Sequence, residues 1–216
     1  MRRAYTPKDI TKKRWKTLPW GKQWSEPFGY PAIDANWFIS GASASGKSSF
    51  VFQLAKELCK YGTLLYLSLE EGINQTFQRR IEIFKMEEVQ NAFRVITECS
   101  LNELKDRLRR PKSPKFIVID SFQVADWDYR DTERLTKEFP SKCFIFISQE
   151  KKSEPMGAAA VRLKYWCDVK VRVVGYEAIC QGRATSEVGA TFRIWDEGIM
   201  KASNSINEPT KPTNNE

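Results

Sequence analysis

Nine consecutive residues carry the clearest chemistry in this chain: Gly41, Ala42, Ser43, Ala44, Ser45, Gly46, Lys47 and Ser48 match the pattern GxxxxGK[ST], and Ser49 follows as a second hydroxyl. Each part answers a requirement of holding a triphosphate. Glycines let the backbone curl until successive N–H groups point at one centre. A helix starting near Lys47 aims its positive end at the same charge. Lys47 is then expected at the β- and γ-phosphates and the Ser48 hydroxyl on Mg2+. A plain Gly/Ser-rich turn is the alternative. It is disfavoured because the loop follows an apolar run and opens a helical stripe.

Four further residues, at the ends of three apolar runs, could complete hydrolysis. Asp120 closes the apolar run KFIVID, where an acid at the end of a buried strand would hold the magnesium shell; a helix cap or turn is the plainer role. Glu70 and Glu71 follow LLYLSL. At the C-terminal edge of a parallel sheet they lie beside the ligand crevice, and a carboxylate there can orient and activate the attacking water. Glu70 is favoured, with Glu71 as neighbour or substitute. Gln149 ends KCFIFIS; its amide either senses the γ-phosphate and signals to the loop that follows, or is a polar strand end.

The elements that must position these groups read as alternating strands and helices. NWFIS, TLLYLSL, FRVIT, KFIVID and KCFIFIS are short apolar runs. Between them, Phe50, Leu54 and Leu58 recur at helical spacing, as do Phe77, Ile81 and Phe84, which read as core. LNELKDRLRR, residues 130–138 and MGAAAVRLKYW give further helices, and DVKVRVV, YEAICQG and VGATFRIWDE further strands. The strands at 115–120 and 142–148 are apolar throughout, as in strands covered on both faces. The expected fold is α/β, a mostly parallel central sheet flanked by helices with C-terminal antiparallel strands. Residues 1–28 read as a basic arm, 29–201 as the core, and 202–216, rich in Asn, Ser, Pro and Thr, as a disordered tail.

Charge is unevenly spread over the 216 residues, whose net charge is +8. Residues 1–22 hold eight Lys or Arg against Asp9 alone. Such an arm either neutralises nucleic-acid phosphates or is simply solvated. Trp15, Trp20 and Trp24 interleave with Lys16 and Lys22. They can stack bases, edge an adenine pocket or pack the arm onto the body; packing is favoured. The chain has no histidine, and its five cysteines are scattered, which argues against a zinc site and for a reducing, cytoplasmic setting. No apolar run approaches bilayer length. An arginine-rich lid is not evident, which disfavours a small-molecule kinase.

Taken together, GASASGKSS, LLYLSLEEG, FIVIDSFQ and FIFISQEKK resemble the RecA-like ATPases, particularly the RadA, KaiC and DnaB branches, over about residues 34–196. The phosphate loop is generic; the Glu-Glu pair and the DSxQ ending are more specific. The resemblance implies an ATPase using Mg2+, with Glu70 as catalytic base, Asp120 as the magnesium-associated acid and Gln149 coupling nucleotide state to a DNA-contacting loop. That loop is expected at about 150–157, with Lys151 and Lys152 as its basic content, and with Arg14 and Lys16 of the arm as further DNA contacts. It also implies a homo-oligomer in which a basic residue from the adjacent subunit completes each site. Arg183 is the candidate, a surface hairpin arginine being its alternative. The zinc finger and protease-like domain of the RadA type, and the helical N-terminal domain of the DnaB type, have no counterpart in the sequence, so a bare motor core is expected. Action on DNA in recombination, repair or replication is the leading expectation. A protein-directed nucleotide switch, with a protein partner and no response to DNA, is the alternative.

Overall fold

The computed structural model describes residues 4–181 and 189–195. In chain order the elements are α1 (Pro7–Thr11), α2 (Lys22–Phe28), β1 (Trp37–Gly41), α3 (Lys47–Leu58), β2 (Leu64–Ser68), α4 (Gln75–Ile83), a 3-10 turn (Met86–Val89), β3 (Phe93–Ile96) and α5 (Leu101–Arg109). They continue with β4 (Phe116–Asp120), α6 (Phe122–Ala125), α7 (Tyr129–Glu138), β5 (Cys143–Lys151), β6 (Glu154–Pro155), α8 (Ala158–Trp166), β7 (Val169–Val174), β8 (Glu177–Cys180) and β9 (Thr191–Arg193).

One sheet runs through the molecule in the order β3-β2-β4-β5-β1-β7-β8-β9, with β6 paired to the end of β5. Pairing is parallel from β3 across to β7 and antiparallel from β7 to β9, as the sequence predicts. The strand sequences explain the two-sided burial. Side chains alternate across a strand, so consecutive apolar residues feed opposite faces. Trp37, Ile39, Tyr66, Val118 and Ile145 pack with Phe50, Leu54 and Leu58 of α3 on one face. Phe38, Leu65, Ile117, Phe144 and Phe146 pack with α5, α7 and α8, through Leu104, Leu108, Leu135 and Leu163, on the other.

The N-terminal segment departs from the expected arm. Leu18, Trp20, Trp24 and Phe28 are buried in the first core, so packed structure begins about ten residues before the expected boundary. Trp24 stacks on Phe192 at 4.5 Å between ring centroids, and Phe28 meets Trp37 edge-on at 5.5 Å. The Trp20 indole N–H donates to the Gly29 carbonyl at 2.7 Å, satisfying its one polar atom inside the core. The physical reason is that Phe50 of α3 and Phe192 of the antiparallel strands form an aromatic flank that Trp24 and Phe28 of α2 cover. Trp15 stays 70% exposed, and Arg14 and Lys16 are exposed.

Candidate functional site

β1 ends at Gly41, and the chain turns through Ala42–Gly46 into α3. Gly46 has φ of 99°, and a Cβ there would also come within 2.9 Å of the Tyr176 ring, so no other residue fits without strain. A side chain at Gly41 would collide with the Val173 carbonyl oxygen. The turn between β7 and β8 therefore braces the loop from behind, and the Tyr176 N–H donates to the Ser45 carbonyl at 3.0 Å. Tyr176 was not legible as a site residue: it lies far along the chain from the loop, with no local motif.

A cleft of about 510 Å³ opens above this loop at the C-terminal edge of the parallel strands. Lys47, Ser48, Glu70, Asp120 and Gln149 all line it. Strand order explains the convergence: β1, β5, β4 and β2 are successive neighbours, and each ends in one of these groups or the loop that carries it. The Lys47 ammonium donates to the Gly41 and Ala42 carbonyls at 2.7 and 2.8 Å. Burial lowers its proton affinity, against the opposing pull of Asp120, Glu70 and Glu150.

The two neighbouring acids differ in their surroundings. The Gln149 amide donates to Glu70, whereas Glu71 is held by Arg80. Arg80, which the sequence does not mark as a site residue, also lines the cleft. Its spacing is the one signal: it lies three residues after Phe77 and four before Phe84, on the inward face of α4, where a charge needs a partner.

Asp120 accepts a hydrogen bond from the Tyr66 hydroxyl. Its pKa is pushed up to about 6, first by burial and then by Glu70 and Glu71, while Tyr66 and Lys47 oppose the rise. Because the folded pKa exceeds the ordinary 3.8, folding takes up a proton between these values. The stability this group supplies is complete at low pH and is lost as pH rises through about 6. In magnesium-free buffer, Asp120→Asn is expected to raise stability at neutral pH by about 2–3 kcal/mol and to flatten the pH dependence, read by urea denaturation. Coincident pH profiles for the two proteins would refute this role of buried charge.

The segment after Gln149, expected as a loop over 150–157, is instead a tight hairpin. β5 runs on to Lys151 and pairs with Glu154–Pro155, and Lys152 and Ser153 make the turn with φ of 52° and 67°. Left-handed conformation at both turn residues suits a two-residue hairpin. The Glu150 carboxylate is turned inward, accepting from Ser40 at 2.8 Å and from Arg172 at 3.1 Å, while Lys151 and Lys152 are exposed. Gln123 ties the hairpin down: its amide donates to Ser148 Oγ at 2.7 Å and to the Met156 carbonyl at 2.9 Å. Arg183 and the 202–216 tail lie outside the described residues.

The donor set suits a Mg2+–triphosphate. The carboxylates of Glu70, Glu71, Asp120 and Glu150 lie in or beside the cleft and would repel a bare polyanion. Lys47 and a divalent cation held by Ser48 and Asp120 would offset them. The hydroxyls of Ser45 and Ser121 are buried without a hydrogen-bond partner among the described residues, and Ser121 lines the cleft.

No family model matches the chain. Over 86 residues it is 29% identical to DNA repair protein RadA of Streptococcus pyogenes serotype M6, a match covering 40% of this chain and 18% of that protein. RadA of Streptococcus pneumoniae matches at 28% over the same length, 20% of that protein. The chain thus matches about a fifth of the length of these curated relatives. In fold it is similar to the flagellar accessory protein FlaH from Methanocaldococcus jannaschii, with a TM-score of 0.58, 12% identity, and 82% of this chain and 93% of that one covered. A second solved structure, an isolated ATPase domain, gives a TM-score of 0.50 at 16% identity, covering 74% of this chain and 79% of that one. These likenesses support a RecA-like P-loop fold for the chain, the mostly parallel sheet with its phosphate loop described above.

Proposed function

We propose that this chain is a Mg2+-dependent ATP hydrolase that acts on DNA in recombination, repair or replication, as a homo-oligomer with shared sites in the cytoplasm. The observation that carries the reading is the Gln149 amide hydrogen-bonded to Glu70 across the cleft that holds Lys47, Ser48 and Asp120. Phosphate binding alone needs only the loop. A carboxylate held by an amide opposite that loop suits water activation and readout of the γ-phosphate. Bound Mg2+ would neutralise charge on the phosphate oxygens.

The chain's own groups supply the rest. Lys47 exchanges its loop carbonyls for phosphate oxygens, and the loop N–H groups with the N-terminus of α3 bind the charge. Glu70 takes the proton from the attacking water. Its bond to Gln149 is then lost or remade, and Gln149 is continuous with the hairpin bearing Lys151 and Lys152, so nucleotide state reaches an exposed basic tip. Action on DNA is supported by the name of the RadA relatives and by this basic tip.

Steady-state ATP hydrolysis with Mg2+, with and without single-stranded and duplex DNA at two salt concentrations, tests the reading. DNA is expected to stimulate turnover, and salt to reduce the stimulation steeply. Turnover indifferent to DNA would replace this reading with a protein-directed switch.

A further inference from the structure

A second cleft, of about 310 Å³, opens at the edge of the sheet opposite the phosphate loop, by the N-terminal ends of β2, β3 and β4. Arg94, Arg107, Arg110 and Lys112 line it with Asn91 and Ser113, and no carboxylate does so among the described residues. All four cations are exposed, and none has an ion pair with a described residue. The acids of α5 have partners of their own, although Glu103 also attracts Arg107. Glu103 accepts from the Ser100 N–H and hydroxyl, both at 2.7 Å, as the helix cap, and Asp106 accepts from Arg109 at 2.7 Å. Arg94 is held at the rim by the carbonyls of Gln90 and Phe93, which leaves further guanidinium N–H groups for a ligand.

The positive charge continues along the same edge. Lys142 donates to Ser113 Oγ at 2.8 Å, and its proton affinity is lowered by burial and by Lys115. Further on, Lys16, at the base of the basic arm, accepts through its carbonyl from the Ile33 N–H at 2.8 Å, just ahead of β1. With neighbouring strands about 4.8 Å apart, the row from β3 to β1 spans about 19 Å, room for several phosphates. Asp34 and Asp168 flank Trp15 at the β1 end, so uncompensated charge centres on the cleft.

We infer that this edge binds the phosphodiester backbone of a nucleic acid, with Arg94, Arg107, Arg110 and Lys112 as the primary contacts. The inference rests on the DNA reading above and gives it a second surface, on the opposite edge of the sheet from the phosphate loop and roughly 16 Å from it along the strand direction alone. Guanidinium forks match phosphate geometry, and the cleft offers no aromatic platform for bases among the described residues, so binding is independent of sequence.

The test is fluorescence anisotropy of a labelled single-stranded oligonucleotide and its duplex, without nucleotide, between about 50 and 200 mM salt. The proteins are wild type, the quadruple variant Arg94→Gln/Arg107→Gln/Arg110→Gln/Lys112→Gln, and Lys151→Gln/Lys152→Gln. The quadruple variant is expected to bind at least about tenfold more weakly and to lose about three units of log–log salt slope, with basal ATP turnover unchanged. If it melts early, the single Arg→Gln variants each lose about one unit. Wild-type affinity and slope in the quadruple variant, with binding lost in the hairpin variant, would overturn this surface and leave the DNA reading standing. A wild type that binds neither probe would overturn both. Displacement of the oligonucleotide by inorganic phosphate at constant ionic strength would make the cleft a small-anion site and overturn the backbone assignment.

Discussion

Lys47→Ala is expected to reduce ATP turnover by at least about 10²–10³-fold, the range for removing one preorganised charge contact at a transition state. Lys47 is the cation set among Glu70, Asp120 and Glu150. Without it, carboxylates face the triphosphate with less positive charge to offset them, so nucleotide binding is expected to weaken as well. The fold should survive, because the ammonium's two partners are the Gly41 and Ala42 carbonyls, which line a cleft that water can enter. Phosphate release, with binding of a fluorescent nucleotide and a thermal melt beside it, measures all three. Undiminished turnover in a folded Lys47→Ala protein would show that hydrolysis occurs elsewhere.

The second large effect is expected at Glu70. Glutamine keeps the carbonyl oxygen that accepts from the Gln149 amide but cannot take up a proton. Glu70→Gln should therefore bind Mg2+–ATP about as tightly as wild type and turn over about 10²–10⁴-fold more slowly, the usual contribution of general-base catalysis. Glu71→Gln is the contrast. Its carboxylate is already committed to Arg80, so loss of its charge should disturb turnover far less. A reversed order of the two variants would transfer the base to Glu71. The shared-site proposal can be read in the same assay. Arg183→Ala and Glu70→Gln proteins, each inactive alone, should recover activity when mixed, because one mixed interface pairs an intact Arg183 with an intact Glu70. No recovery at any mixing ratio would remove Arg183 from the site.

Much of this was legible in the chain before folding. The phosphate loop is nine consecutive residues whose function depends on their own backbone, so the pattern is complete locally. Strand and helix periodicities fix which elements form, and continuous apolar strands such as FIVI and CFIFI require cover on both faces, which dictates the α/β class. Asp120, Glu70 and Gln149 were found because strand ends in a parallel sheet share one edge.

The remaining features depend on which strands become neighbours, and no local pattern encodes that order. Glu70 and Gln149, 79 residues apart, meet because β2, β4 and β5 are successive in the sheet. Glu71 is neutralised by α4, and the Glu150 side chain reaches Arg172 of β7 because β1, lying between β5 and β7, contributes only the small Ser40. The hairpin after Gln149 is not legible in the sequence because Lys152 and Ser153 turn it without glycine. Trp20 and Trp24 looked like arm residues since the flank they cover is built by Phe50 and Phe192, far along the chain. The cationic cleft gathers Arg94 from β3 with Arg107 and Arg110 from α5 and its end, charges scattered along the chain until the fold sets them around one cleft. Sequence determined the chemistry and the elements; tertiary structure decided which charges face one another, because Coulomb and hydrogen-bond energies depend on distances in space and not on separation along the chain.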